Sequence, residues 1–165
     1  AYIDAKKQAM HYPIAGFATG DGTNFGMPQS VTDNHAPFEH NTSAGTAGTT
    51  AVTIPNIVQS GGIVFPRACT LTKWRGWVTC QGSAAGTKVG IFKVTPVEND
   101  ASNIAFIKLT EFEYTAATAT KAFVIDQDSS DFDVSAIAAG DIVVAMMKGE
   151  NTKIQIFTST FEVEF

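Results

Sequence analysis

The chain is short of charge. Asp, Glu, Lys and Arg make up 16% of its 165 residues, against roughly a quarter in an ordinary soluble domain. The eleven Lys and Arg are scattered and the net charge is −5. No basic stripe exists to neutralise phosphates, which argues against a nucleic-acid partner. No run approaches the ~18 apolar residues of a spanning helix, so no membrane partner is expected. The N-terminus, AYIDAKKQAM, lacks the ~7–15-residue apolar core of a signal peptide. A start at Ala1 is expected of a cytoplasmic product that has lost its initiator Met, or of a processing product. No stretch longer than the first ten residues reads as a helix, and no strand is followed by a long amphipathic one, which excludes a parallel βαβ architecture. No internal repeat is visible, which argues against a propeller or β-helix.

Cysteine is scarce too: Cys69 and Cys80 are the two present. If residues 69–80 form one extended strand, the pair lies roughly 35 Å apart at ~3.3 Å per residue. A disulfide needs Cα atoms within ~7 Å. A hairpin at Arg75-Gly76 would permit one. The reading adopted is one bent strand carrying two buried free thiols.

What the chain has is Thr, Ala, Gly and twelve Phe, arranged differently in two parts. Residues 1–50 are rich in turn formers, with Gly16, Gly20, Gly22, Gly26, Pro28 and Pro37 among them. Tyr12, Phe17, Phe25, Met27 and Phe38 are spaced between these. A disordered tail would carry few aromatics. This segment is therefore expected to be an extended N-terminal arm, ordered against its own sandwich, a sister subunit or a larger assembly, with those five side chains as its partner contacts. Residues 1–10 could add a short helix.

From residue 51 to 165 the pattern is of short alternating strands, about eight at the ~8–12-residue spacing of a sandwich or barrel. Residues 68–81 (ACTLTKWRGWVTCQ) are the best strand, with Cys69, Leu71 and Lys73 on one face and Thr70, Thr72 and Trp74 on the other. Gly76 interrupts it, as at a bulge or a close backbone approach. Residues 88–94 alternate cleanly. Residues 142–147 (IVVAMM) are apolar throughout, as in a strand buried on both faces. Residues 50–59, 63–65, 104–114, 122–125 and 154–165 complete the set. Residues 126–133 read as an acidic loop, and residues 134–139 as one helical or 3₁₀ turn. The fold class expected is all-β: an antiparallel β-sandwich of the jelly-roll kind, preceded by the arm.

The segment FPRACTLTKWRGWVTCQGSAAGTKVGIFKV (65–94), followed by DVSAIAAGDIVV (133–144), resembles jelly-roll virion proteins of tailed bacteriophages, both head decoration (cement) proteins and tail-fibre head modules. The resemblance covers roughly residues 60–165 and rests on short motifs that other jelly rolls, tumour-necrosis-factor-like and carbohydrate-binding, also share. It implies a non-enzymatic structural protein, a homotrimer docked on major capsid protein, made in the host cytoplasm and located in the virion. The alternative it implies is a receptor- or carbohydrate-binding module of a tail fibre. A minor capsid or head–tail joining protein differs from the first chiefly in copy number.

Chemistry finds little support in the residues. His11, His35 and His40 all lie in the arm, whereas metal-dependent jelly-roll enzymes place a His-x-His pair on barrel strands. His35 and His40 with Asp33 and Glu39 match no zinc spacing. Asp126, Asp128, Asp131 and Asp133 resemble a calcium loop, yet position six is Asp131 rather than Gly and position twelve is Ile137 rather than Glu. They remain a weak calcium candidate beside a plain reading as a solvated loop of Asx-turns. Trp74, Arg75 and Trp77 are candidates for core packing, a subunit interface or a sugar contact. No nucleophile elbow or phosphate-binding Gly loop occurs. No catalytic residue and no cofactor is expected.

Overall fold

Alternation of apolar and polar residues makes strands here because one face of each can be buried while the other stays wet. A computed structural model describes residues 10–19, 25, 62–81, 87–98, 106–114, 120–148 and 154–165. Among these are nine strands and no helix: β1 (Met10–Thr19), β2 (Ile63–Val64), β3 (Cys69–Gln81), β4 (Thr87–Val94), β5 (Ile107–Tyr114), β6 (Thr120–Asp128), β7 (Ala136–Ile137), β8 (Ile142–Lys148) and β9 (Ile154–Glu164). They form two antiparallel sheets. The first has the order β1-β9-β3-β6, with β7 also paired to β3; the second has the order β2-β8-β4-β5. Leaving out the two-residue β7, successive described strands alternate between the sheets at every step except β4 to β5. That is the strand order of a jelly roll.

The inter-sheet core is built from Leu71, Trp74 and Val78 of β3, Val89 and Ile91 of β4, Val143, Ala145 and Met147 of β8, and Phe157, Phe161 and Val163 of β9, among others. β8 is apolar on both sides for a reason. Its alternate residues Ile142, Val144 and Met146 join Phe92, Val94 and Phe106 in a second buried cluster on the outer face of the second sheet. Phe25, from the N-terminal segment, packs there with its ring edge-on to Phe92, centroids 4.9 Å apart. The expectation of a strand buried on both faces is met.

Three expectations are revised. Residues 134–139 are not a helical turn: Ala136 and Ile137 pair with Thr70 and Cys69 as β7. Asp126 and Asp128 lie in β6 rather than in a loop, because strand pairing with Arg75 and Lys73 continues through them. The faces of β3 also differ from simple alternation. Against β9 the register passes from Leu71↔Val163 to Lys73↔Glu162, so Thr72 is the extra residue of a bulge. Its hydroxyl donates to the Glu162 carbonyl at 3.2 Å. The added residue flips the parity, and Trp74 turns into the core beside Leu71.

Gly76 is a point of close approach rather than the bulge. A Cβ built there would collide with the Thr158 carbonyl oxygen and with Ser159 on β9. The clash falls within the central strand pair, where neither backbone can retreat. Gly76→Ala is expected to destabilise by about 1–3 kcal/mol, as overpacking does, read as a lower denaturant midpoint at unchanged m-value.

The expected boundary at residue 50 lies outside the described residues, as does the expected strand at 50–59. N-terminal to that boundary, Met10–Thr19 pairs along its whole length with β9, from Met10↔Val163 to Thr19↔Ile154. Cys69 and Cys80 lie toward opposite ends of the one strand β3, the bent-strand geometry in which no bridge between them can close. Cys69 is buried and free.

Candidate functional site

Outward residues of an antiparallel sheet line up in rows across the strands, because directly paired residues share a face. On the outer face of the first sheet four such rows can be followed from β6 to β3 to β9. Ala122, Thr79 and Ile156 form the first; Val124, Trp77 and Thr158 the second; Asp126, Arg75 and Thr160 the third; Asp128, Lys73 and Glu162 the fourth. The register continues each row to a β1 position: Phe17, Ala15, Pro13 and His11 respectively.

The two halves of this face differ. Trp77, Val124 and Ile156 are 54%, 52% and 45% exposed, and they are neighbours in the first two rows. A single exposed apolar side chain needs no explanation, but three neighbours including a Trp make this half of the face the candidate for an interaction surface. The other half is charged. The Arg75 Nε donates to Asp126 Oδ1 at 3.0 Å across the third row. Asp128 accepts from the Ser130 amide at 3.0 Å and from its hydroxyl at 2.7 Å. These bonds hold the Asp128 carboxyl below its ordinary value.

Several other charges are occupied structurally. Asp141 is wholly buried at the end of the sandwich. Thr95 donates to it at 2.5 Å, the Ala138 amide at 2.8 Å, and the Lys93 ammonium lies 3.1 Å away. Lys93 also donates to the Ala136 carbonyl at 2.7 Å. Gly140, at φ 86°, takes the left-handed conformation that lets this turn close. On the second sheet Glu111 accepts Lys88 at 2.5 Å and pairs with Lys108 at 3.3 Å, while Lys108 reaches Asp133 at 3.1 Å. At the sandwich edge Gln127 accepts from Thr110 and donates to the Glu111 carbonyl, tying β6 to β5.

No protein-family model matches the sequence, and no curated protein does. Among solved structures the chain is similar to one described as the structure of infectious bursal disease virus, Gx strain, with 8% identity and a TM-score of 0.27 over 96% of this chain. The chain spans 37% of the length of that one.

The structure separates the residues singled out in the sequence. Trp77 and Arg75 are exposed, on the outer face, and Trp74 is core. The two Trp residues thus face opposite sides of β3. The four acids of residues 126–133 do not converge: Asp126 pairs with Arg75, Asp128 binds Ser130, Asp131 accepts the Asp128 amide at 3.0 Å and Asp133 pairs with Lys108. Among the described residues no three His, Cys, Asp or Glu could hold a metal. Tyr12 stands opposite Phe161 and Phe17 opposite Ile156 in the β1–β9 register, and Phe25 covers Phe92. Met27 and Phe38, together with His35, His40, Asp33 and Glu39, lie outside the described residues. Val124 and Ile156 were not singled out in the sequence. Their signal was an apolar residue at an outward position, visible only once strand register assigns the faces.

Cys69 carries no reactive thiol. Burial, and next the Asp141 charge, push its pKa up to about 11 against the opposing pull of Arg67, so the thiolate is absent at neutral pH. Alkylation followed by peptide mapping is expected to leave Cys69 unmodified in the folded protein and label it fully in denaturant.

Proposed function

We propose that the chain is a non-enzymatic structural protein of a viral particle, a bacteriophage head decoration protein that associates with itself and with major capsid protein in the virion. The observation that carries the interaction role is the exposed Trp77–Val124–Ile156 group on a sheet face. A β-sandwich whose buried acid serves turn closure, and whose outer sheet face is apolar over one half, has the makings of a packing unit. The phage and decoration parts of the reading rest on the sequence resemblance. In this reading the N-terminal segment 1–50 bridges to capsid subunits, with Met27 and Phe38 among its contacts.

The test is immunogold labelling of purified source particles with antibody to this chain. Regular labelling over the head supports decoration. Labelling of the tail alone moves the assignment to a fibre module, and unlabelled particles overturn the virion reading. A second reading has its own observation: Trp77 presents an exposed ring beside the Arg75–Asp126 pair, the combination of stacking face and polar partners that suits a sugar. A glycan array in which Trp77→Ala abolishes reproducible hits would support it.

A further inference from the structure

The outer face of the first sheet is complementary to itself. We propose that two copies of this chain pack these faces together about a two-fold axis that runs parallel to the strands, between β9 and β3. This goes beyond the reading above and does not depend on docking to a shell.

The argument lies in the order of residues across each row. The axis falls at the middle of the β1-β9-β3-β6 order. It therefore reverses each row and lays β3 over β9 of the second copy, and β6 over β1. In the second row Trp77 then meets Thr158, and Val124 meets the Ala15 position. In the first, Ile156 meets Thr79, and Ala122 meets the Phe17 position. Trp77 and Ile156 are each set against a threonine, a large residue against a smaller one, as interdigitated sheet faces require. In the fourth row the sequence across the strands is His11, Glu162, Lys73, Asp128. Reversal places Lys73 over Glu162, so unlike charges face each other across the axis. An axis between β3 and β6 would also oppose unlike charges, but it would leave β9 and β1 uncovered.

The face measures about 20 Å in each direction, at ~4.8 Å between strands and ~3.3 Å per residue, so a pair covers roughly 800 Å² in total, below stable interfaces and in the range of weak, transient ones. The pair is accordingly reversible. An isologous contact of this kind closes at two copies, so it makes a dimer in place of the trimer expected from the resemblance.

Light scattering on the full chain across a concentration series tests this. The expected limiting mass is twice the 17.5 kDa of one chain. Val124→Glu puts an unpaired charge into the apolar half, beside Trp77, where the residue is exposed in the single chain, and is expected to raise the dissociation constant at least ~30-fold. Lys73→Glu and Glu162→Lys are each expected to weaken the dimer, because each sets like charges against one another across the axis. An equimolar mixture of the two variants is expected to restore it. One copy then carries glutamate at both positions and the other lysine at both, so the two contacts related by the axis each join unlike charges. A restoration by mixing cannot come from contacts inside one chain. A monomer at every concentration, a limiting mass other than a dimer's, a dimer indifferent to Val124→Glu, or weakened single variants that mixing fails to restore would each overturn the proposal.

Discussion

Replacing Asp141 with Ala is expected to destabilise the protein by about 3–5 kcal/mol, the cost of leaving one member of a buried ion pair uncompensated. Three donors converge on this carboxylate: the Thr95 hydroxyl, the Ala138 amide and the Lys93 ammonium. Removing it strands the Thr95 hydroxyl and the Ala138 amide and leaves Lys93 with the Ala136 carbonyl but no counter-charge. The loss spreads, because the same turn hydrogen-bonds to Phe65, just after β2, on both sides: the Phe65 amide donates to the Asp141 carbonyl and the Gly140 amide to the Phe65 carbonyl. Asp141→Asn is expected to cost less than Ala. Its carbonyl oxygen can take the Ala138 amide and Lys93, and its NH₂ can face the Thr95 hydroxyl, which accepts as well as donates, so what is lost is the negative charge opposite Lys93. Burial alone would raise the Asp141 pKa, but the bonds from Thr95, Ala138 and Lys93 outweigh it and hold the value below the ordinary 3.8. A carboxylate depressed in the folded state stabilises at every pH above its unfolded value, and that contribution disappears as pH falls through the folded value. Wild-type stability is thus expected to drop below about pH 4. The Asp141→Asn variant should be less stable at neutral pH and flatter through that acid window. Equilibrium urea unfolding at a series of pH values checks both statements. An Asn variant with wild-type acid sensitivity would remove Asp141 from the account.

The order of elements was legible because burial leaves a plain mark on some strands. Residues 142–147 are apolar without a break, and β8 is covered on both faces, with Val143, Ala145 and Met147 in one cluster and Ile142, Val144 and Met146 in the other. The Asp that precedes this strand was legible as part of an Ala-Gly-Asp turn, though not as its buried anchor, since nothing local tells a capping carboxylate from a solvated one. What escaped was parity. Alternation assigns two faces only while the register is regular, and one extra residue at Thr72 exchanges them for everything that follows. The interaction face shared this blind spot. Val124 sits in FVIDQ with apolar neighbours on both sides, and only its pairing with Trp77 shows which of them faces out. In the sequence Asp126 and Asp128 read as loop, because acids are poor strand formers. In place, they are outward residues opposite Arg75 and Lys73, where cross-strand charge pairing offsets that propensity.

Trp74 is where that parity error has an energetic consequence. Turned inward by the bulge, it is the largest fully buried side chain among the described residues, packed with Leu71, Val78, Phe157 and Phe161 in the inter-sheet core. Trp74→Ala is expected to cost about 3–5 kcal/mol through lost contacts and the cavity left behind. The indole brings a liability with its volume, however. Its Nε1–H is buried and has no hydrogen-bond partner among the described residues. Leaving such a donor unpaired costs about 1–3 kcal/mol, whereas the ring volume lost on changing to Phe costs on the order of 1 kcal/mol. The two terms oppose one another. Trp74→Phe is therefore expected to fall within about 1 kcal/mol of the wild type, far above Trp74→Ala, in equilibrium denaturation followed by far-UV circular dichroism. If Phe costs nearly as much as Ala, the indole N–H has a partner that matters, and the position is held by polarity as well as by shape. If Phe is neutral, the bulge serves to bring a large ring into the core, and the nitrogen is incidental.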